Sequence, residues 1–458
     1  MKHSTDSLHC KYRQVQDIKF ADQHLTSFAG LVIFQSLFDR LGLKNRIRAC
    51  FNHIKFHSIY GIRKVVLLLI VHVLLGYREL RDMKYYHSDP MVKRLLGLMR
   101  LPDVATVSRT LARCDAQGVQ GLRAELQRMV LSRLQQLQPA RVSLDFDGSV
   151  LSTSRFAEGT AVGFNKKKKG QRSYYPLFCT IAQTGQVFDA LFRSGNVHDS
   201  NGANDHILQC FSSLRAALPQ AKLETRMDSA FFSDEIVSML DSQGVEFTLS
   251  VPFERFPELK GLIENRQRWR SADAHWSYFE CSWKPAKWDQ RFRFLFIRQR
   301  CKQVRKQPVQ LDLFVPHQYG YEFKVIVTNK TLRAKKVLAF HNGRGAQEGI
   351  FAELKSQAAM AYVPTRTLAG NQVYFLSSLL AHNLVRELHM EAFPKQRNTT
   401  EKRSTLWAFT QLDTLRRTVI QIAGRLTKPK GKLTLTMAKN KTVEKLLLHY
   451  LHILEPVT

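Results

Sequence analysis

Acidic residues are scarce in this 458-residue chain: 38 Asp and Glu face 69 Lys and Arg, a formal net charge of +31. That deficit argues against neutral partners and for a polyanion. Nucleic acid is the first candidate and an anionic membrane surface the alternative. Long apolar runs are also missing. The strongest, 65–75, is too short to cross a bilayer and contains His72. The opening residues, Met1-Lys-His-Ser-Thr-Asp, hold no apolar segment of the secretory kind, so no export signal is expected. The seven cysteines are odd in number, scattered and without a C-x-x-C pair. This speaks for a reducing compartment and against a zinc ribbon. His53-x-x-x-His57 has i,i+4 spacing but no clear third ligand nearby. There is no internal repeat and no low-complexity tract beyond Lys166–Lys169. The expectation is a cytoplasmic, nucleic-acid-facing protein with no membrane partner.

A hydrophobic content of 44% and an aromatic content of 10% suffice for a packed globular core. The length suggests two to four domains. From about Leu25 to Leu137 the pattern is helical: Leu31, Phe34, Phe38 and Leu41 recur at helix spacing and stop at Gly42. Helices are also expected over 65–75, from a capped start near Pro102, and from about Gly118 to Leu137. Region 1–139 is therefore read as a helical N-terminal DNA-binding region, with a solvated helical packing domain as the alternative.

At Ala140 the periodicity changes. Residues 141–147 alternate like a strand, and 174–182 with 186–192 form a hairpin across Gln183-Thr-Gly185. A helix near 205–218, a strand ending at Asp228, a helix over 233–240 and a strand over 246–251 complete a mixed α/β core, 140–251. Region 252–320, with Trp269, Trp276, Trp283, Trp288 and the alternating Phe292, Phe294 and Phe296, reads as a β-rich insertion. Core rhythm returns over 321–393, including a mostly apolar helix from about Asn371 to Met390. Region 394–458 reads as a basic C-terminal tail.

Within this frame His341-Asn-Gly-Arg344-Gly-Ala-Gln-Glu348-Gly-Ile-Phe351-Ala-Glu-Leu-Lys355 carries chemistry. As a helix it places Arg344, Glu348, Phe351 and Lys355 on one face, a carboxylate between two cations. Asp147 and Asp228 sit where strands should end. Three such carboxylates can hold two Mg²⁺ ions roughly 3.5–4 Å apart, with Mn²⁺ as substitute. Each acid also has a bland reading. Asp147 in Asp145-Phe-Asp147-Gly-Ser149 suits a turn, with Asp145 its rival on the same strand face. Asp228 suits a helix cap, and Glu348 an ordinary ion-paired surface. Their order in a strongly basic chain is what favours the metal reading.

In that order the chain resembles the DDE transposases of bacterial insertion sequences, in the branch with a Tyr-Arg-Glu-Lys signature. Arg344, Glu348 and Lys355 match its last three positions, and His341 stands where Tyr is expected. The strand at Asp147-Gly-Ser149, the Met-Asp228-Ser-Ala-Phe-Phe-Ser segment and Gly195-Asn-Val-His198-Asp-Ser-Asn-Gly202 resemble the family as well. The resemblance implies an RNase H-like core with a β insertion between the second Asp and the Glu. It implies metal-dependent cleavage at element ends and strand transfer into target DNA, by a homodimer holding two ends of double-stranded DNA. Asp147, Asp228 and Glu348 would bind the metals, with Arg344 and Lys355 gripping phosphate. Lys166, Lys167, Lys168, Lys169, Arg172 and His341 are the expected DNA contacts. A nuclease without strand transfer and a non-catalytic DNA-binding protein are the alternatives.

Overall fold

Alternation within one strand decides the architecture. In β1 (Arg141–Gly148), Val142, Leu144 and Phe146 enter an apolar core, so Ser143, Asp145 and Asp147 must face the other way. The computed structural model describes residues 23–55, 60–163, 165, 168–198, 201–301, 316 and 320–455. After β1 come β2 (Leu177–Ile181), β3 (Gln186–Leu191), β4 (Lys222–Met227) and β5 (Glu246–Val251). Further along lie β6 (Trp276–Trp283), β7 (Phe292–Arg300) and β8 (Tyr321–Thr328).

With the two-residue edge strand Arg270–Ser271, these form one nine-stranded sheet in the order Arg270–Ser271, β6, β7, β8, β5, β4, β1, β2, β3. The chain is a mixed α/β protein built on this sheet. Strands β1, β4 and β5 run parallel, and β2 is antiparallel to both β1 and β3. The strands of region 252–320 extend the central sheet through β8. The reason is apolar: Phe279, Trp288, Phe292, Phe294 and Phe296 join the core that holds Val142, Leu144 and Phe146. Trp269 and Trp283 pack against that core and Trp276 against a smaller cluster, so all four are packing residues.

Helices cover both faces. Those that position the site or its frame are α1 (Leu31–Arg40), α2 (Gly61–Leu75), α3 (Val104–Leu111), α4 (Ala116–Leu137), α5 (Ala203–Ala217), α6 (Asp234–Ser242), α7 (Pro257–Glu264), α8 (Ala334–Asn342), α9 (Ala346–Ser356) and α10 (Leu368–Ala392). Asp103 and Asp115 cap α3 and α4 by accepting from the backbone N–H of Thr106 and Gly118. Helix α10 is buried on almost every side and packs against α2 and α4. Its Asn383 exchanges two hydrogen bonds, 3.0 and 2.8 Å, with the backbone of Val187, satisfying groups on edge strand β3. No helix among the described residues is long and apolar enough to cross a membrane.

Residues 395–455 pack as a layer on the rest of the chain. Arg416 donates to the carbonyls of Val73 and Leu74, and Arg403 reaches Glu224. The hairpin β9 (Gly424–Thr427) and β10 (Thr434–Met437) pairs with Leu25–Thr26, and α11 (Lys441–Leu454) packs on α1. Positive charge in this stretch is partly structural.

Candidate active site

Two parallel strands carry a polar ladder. Ser143 and Asp145 on β1 are in register with Glu224 and Arg226 on β4. The Ser143 hydroxyl donates to Glu224 at 2.6 Å, and Arg226 grips both oxygens of Asp145 at 2.6 Å. Both members of that pair are buried. Asp145 is thereby committed to tying β1 to β4. Arg226 also donates to the carbonyls of Phe340 and Lys402, which fixes the end of α8 above the sheet. Glu224 closes the lower rung with Lys330 at 2.8 Å and Arg403 at 2.6 Å. Burial alone would raise its carboxyl, but Arg403, Lys330 and Ser143 hold it down at about 2.

Two residues beyond Asp145 and Arg226 the strands end in Asp147 and Asp228. Each uses one oxygen locally: Asp147 accepts from Gly148 N at 2.8 Å, and Asp228 from Ala230 N at 3.0 Å. The turn and cap roles expected for them are real, and the bonds to Gly148 and Ala230 each fall on Oδ1. The other oxygens face a common cation, with Arg344 Nη1 at 3.1 Å from Asp147 Oδ2 and 4.0 Å from Asp228 Oδ2. All three side chains stay partly exposed, at 22%, 31% and 22% for Asp147, Asp228 and Arg344. The site therefore opens to solvent.

Arg344 lies in a single tight turn, Gly343–Gly345, between α8 and α9. The approach there requires glycine: a Cβ at Gly343 would stand 2.0 Å from both Arg226 Nη1 and the Lys402 carbonyl. Helix α9 is fixed over the strand ends from below. Buried Gln347 donates to the Asp145 carbonyl at 2.9 Å, and Phe351 packs on Phe178, the residue paired with Asp147 across β1 and β2. Glu348, beside Gln347, is exposed and has no hydrogen-bond or ion-pair partner among the described residues. Lys355 is half-buried two turns further on. Glu353 turns inward to Arg386 and the backbone N–H of Leu412.

His341 departs from the expected phosphate contact. Its ring is 2% exposed, within 2.9 Å of Ser250 Oγ and 3.1 Å of Thr248 Oγ1 on β5. Burial, then the cations Lys324, Arg344 and Arg226, push it well below the usual imidazole range, so it stays neutral. Through the Ser250 and Thr248 contacts it ties α8 to β5. Of the expected DNA contacts, Lys168 and Lys169 are exposed, and Lys166 and Lys167 lie outside the described residues. Arg172 is held locally, against Thr160 and over the ring of Phe156. His53 pairs with Asp115 at 2.9 Å, and His57 lies outside the described residues.

Three residues at the site escaped the pattern reading. Arg226 and Gln347 act through burial that only packing reveals. Lys324 on β8 had a signal, a lone lysine in an apolar strand. Burial, with Arg344 nearby, lowers it to about 8.

The donor chemistry suits a hard cation: at least two carboxylate oxygens converge where a guanidinium already supplies positive charge. Among the described residues, only Asp189, His206 and Cys210 bring three candidate ligand atoms within 4.8 Å of one another. There Arg123 already binds both oxygens of Asp189, at 2.5 and 2.6 Å, and reaches His206 at 3.1 Å. That buried cluster is an ion pair joining α4 to β3, its charge satisfied by the arginine.

A family model described as Transposase DDE domain group 1 matches residues 8–458. No curated protein matches the chain. Among solved structures the chain is similar to a piggyBac transposase synaptic complex with hairpin DNA, at 10% identity and a TM-score of 0.38, over 86% of this chain and 80% of that one. It is also similar to a Mos1 transposase paired-end complex with left transposon end, at 11% identity and a TM-score of 0.19, over 43% of this chain and 60% of that one.

Proposed function

The chain belongs to the Transposase DDE domain group 1 family and is a DNA transposase, and we propose that it cuts at the ends of its own element and joins them to target DNA. Asp147, Asp228 and Glu348 are the acids of this reading. The observation that carries it is the convergence of Asp147 and Asp228, from adjacent parallel strand ends, on one cation. Glu348 enters from α9, which Gln347 and Phe351 hold over the same strand ends. We read the core as RNase H-like on its strand order β3-β2-β1-β4-β5, with β2 alone antiparallel to its neighbours β1 and β3.

DDE transposases depend on divalent metal, and we assign two Mg²⁺ ions, replaceable by Mn²⁺, to the three acids. When bound, such ions lower the pKa of an attacking water or hydroxyl and stabilise the leaving oxygen. The protein's own part is orientation. Asp145–Arg226 fixes the spacing of the two strand ends, and Arg344 with Lys355 offers positive charge to a phosphate. Water attacks the phosphorus at the element end, the P–O3′ bond breaks, and a free 3′-hydroxyl leaves. That hydroxyl then attacks a target phosphate, forming a new phosphodiester and releasing the target's 3′-hydroxyl. Exposed Lys168 and Lys169, with Arg94 and Arg109 on helices before residue 140 and Arg100 on the loop between them, are the proposed backbone contacts. Two ends must be held together, so a homodimer on DNA is part of the proposal.

The test is Mg²⁺-dependent joining of an oligonucleotide carrying the element end to a plasmid. Asp147→Ala should abolish cleavage while sparing end binding. Hydrolysis without joining would leave only a nuclease, and no metal-dependent cleavage by the wild type would leave only a DNA binder.

A further inference from the structure

The two strand acids are already bridged by a cation, and that cation is the chain's own. Arg344 Nη1 lies 3.1 Å from Asp147 and 4.0 Å from Asp228, on the oxygens not committed to local turns. A divalent ion taking those oxygens would meet the guanidinium at short range and be repelled. Its backbone is not free to withdraw, because Gly343 is wedged against Arg226 and the Lys402 carbonyl. The side chain is partly exposed and can turn outward. On the outer side the surface is open: a Cβ at Gly345 or Gly349 would meet nothing within 4 Å, and the first turn of α9 has no side-chain cap. A DNA backbone can therefore approach closely there, and a phosphate offers a guanidinium a two-pronged partner in place of one carboxylate oxygen from each Asp.

We propose that Arg344 is a latch on the metal site, holding Asp147 and Asp228 in the DNA-free protein and released to a DNA phosphate when an end docks. This inference rests on the reading of those two acids as metal ligands. It makes metal and DNA binding mutually reinforcing, since each favours the arrangement with Arg344 turned outward. The protein would then keep its site closed to metal until a substrate phosphate is in place. Off-substrate hydrolysis would be suppressed without a moving domain.

The test uses the full chain and Mn²⁺, whose binding is followed by electron paramagnetic resonance, with and without a duplex that ends at the element's terminal phosphate. Wild type should bind Mn²⁺ weakly alone and at least about tenfold more tightly with duplex, within the usual range of coupling. Arg344→Gln should bind Mn²⁺ without DNA about tenfold more tightly than wild type does, and the duplex should then change its affinity little. Arg344→Lys, which keeps charge but not the fork, should fall between them. Equal or weaker Mn²⁺ binding by DNA-free Arg344→Gln, with its circular dichroism unchanged, overturns the latch. Failure of the underlying site reading looks different: tight Mn²⁺ binding by Arg344→Gln would then survive the added Asp147→Asn and Asp228→Asn changes.

Discussion

Asp145→Asn and Asp147→Asn, two positions apart on one strand, are expected to separate stability from chemistry. Asp145 is 2% exposed and meets fully buried Arg226 through two bonds of 2.6 Å. Neutralising it strands a buried guanidinium, a change that typically costs about 3–5 kcal/mol. Arg226 retains the carbonyls of Phe340 and Lys402, so the lower part of that range, about 3 kcal/mol, is expected. Asp147 is 22% exposed and meets Arg344 at 3.1 Å, so screening by water leaves about 0–1 kcal/mol at stake in that ion pair. Urea unfolding followed by circular dichroism measures the first quantity. Mg²⁺-dependent cleavage of an element-end oligonucleotide, run where both variants are folded, measures the second. Asp145→Asn should lose stability and keep measurable cleavage, whereas Asp147→Asn should keep stability and lose cleavage. Equal destabilisation by the two changes, or cleavage surviving Asp147→Asn, would refute the assignment of one acid to structure and the other to chemistry.

Glu348→Gln should abolish metal-dependent cleavage with a urea midpoint close to wild type, because the side chain is exposed and without a partner among the described residues. Glu224→Gln should destabilise by about 3–5 kcal/mol, since Lys330 and Arg403 would be left facing a neutral amide in the interior. The Glu224 carboxyl is held at about 2, below its ordinary 4.5. Its stabilisation is therefore fully present above pH 4.5 and lost as pH falls towards 2, and acid titration of wild type against the variant reads that window. Lys324 has the opposite behaviour, lowered from 10.5 to about 8. Between those values the unfolded chain binds the extra proton, so stability should rise with pH from about 8 to 10.5, and Lys324→Met should flatten that rise. Gly343→Ala should destabilise markedly, because the new methyl would stand 2.0 Å from Arg226 and the Lys402 carbonyl, whereas Gly345→Ala, facing open space, should be tolerated in thermal melts.

Much of the site was legible because its residues mark the ends of periodic segments. Alternation placed Asp145 and Asp147 on one face of a strand, and β4 ends one residue before Asp228. Segment 344–355 carried its helical spacing openly, although Arg344 itself falls in the turn before α9. Alternation alone left Asp145 and Asp147 equivalent, since both share the face. His341 looked like a phosphate ligand from its place in a motif, but spacing along a chain says nothing of depth. Region 252–320 showed its strands in its aromatic pattern, while their membership of the central sheet depends on β8 and β5, which lie outside that region.

The sequence by itself determined that the chain is basic, mixed α/β, and provided with ordered carboxylates in the pattern of a DNA transposase. The first two properties follow from composition and short-range periodicity, which every local segment carries within itself, and the third from the resemblance of short ordered motifs to a known family. Tertiary structure alone decided which charges are spent inside the protein. Burial turns Asp145, Glu224, Arg226 and Arg403 into structural pairs, because an ion removed from water must find its counter-ion within reach. The same packing leaves Asp147, Asp228 and Glu348 at the solvent edge, with Arg344 between the first two. Charge is a property of the residue, but its availability to metal or DNA depends on what the fold sets beside it.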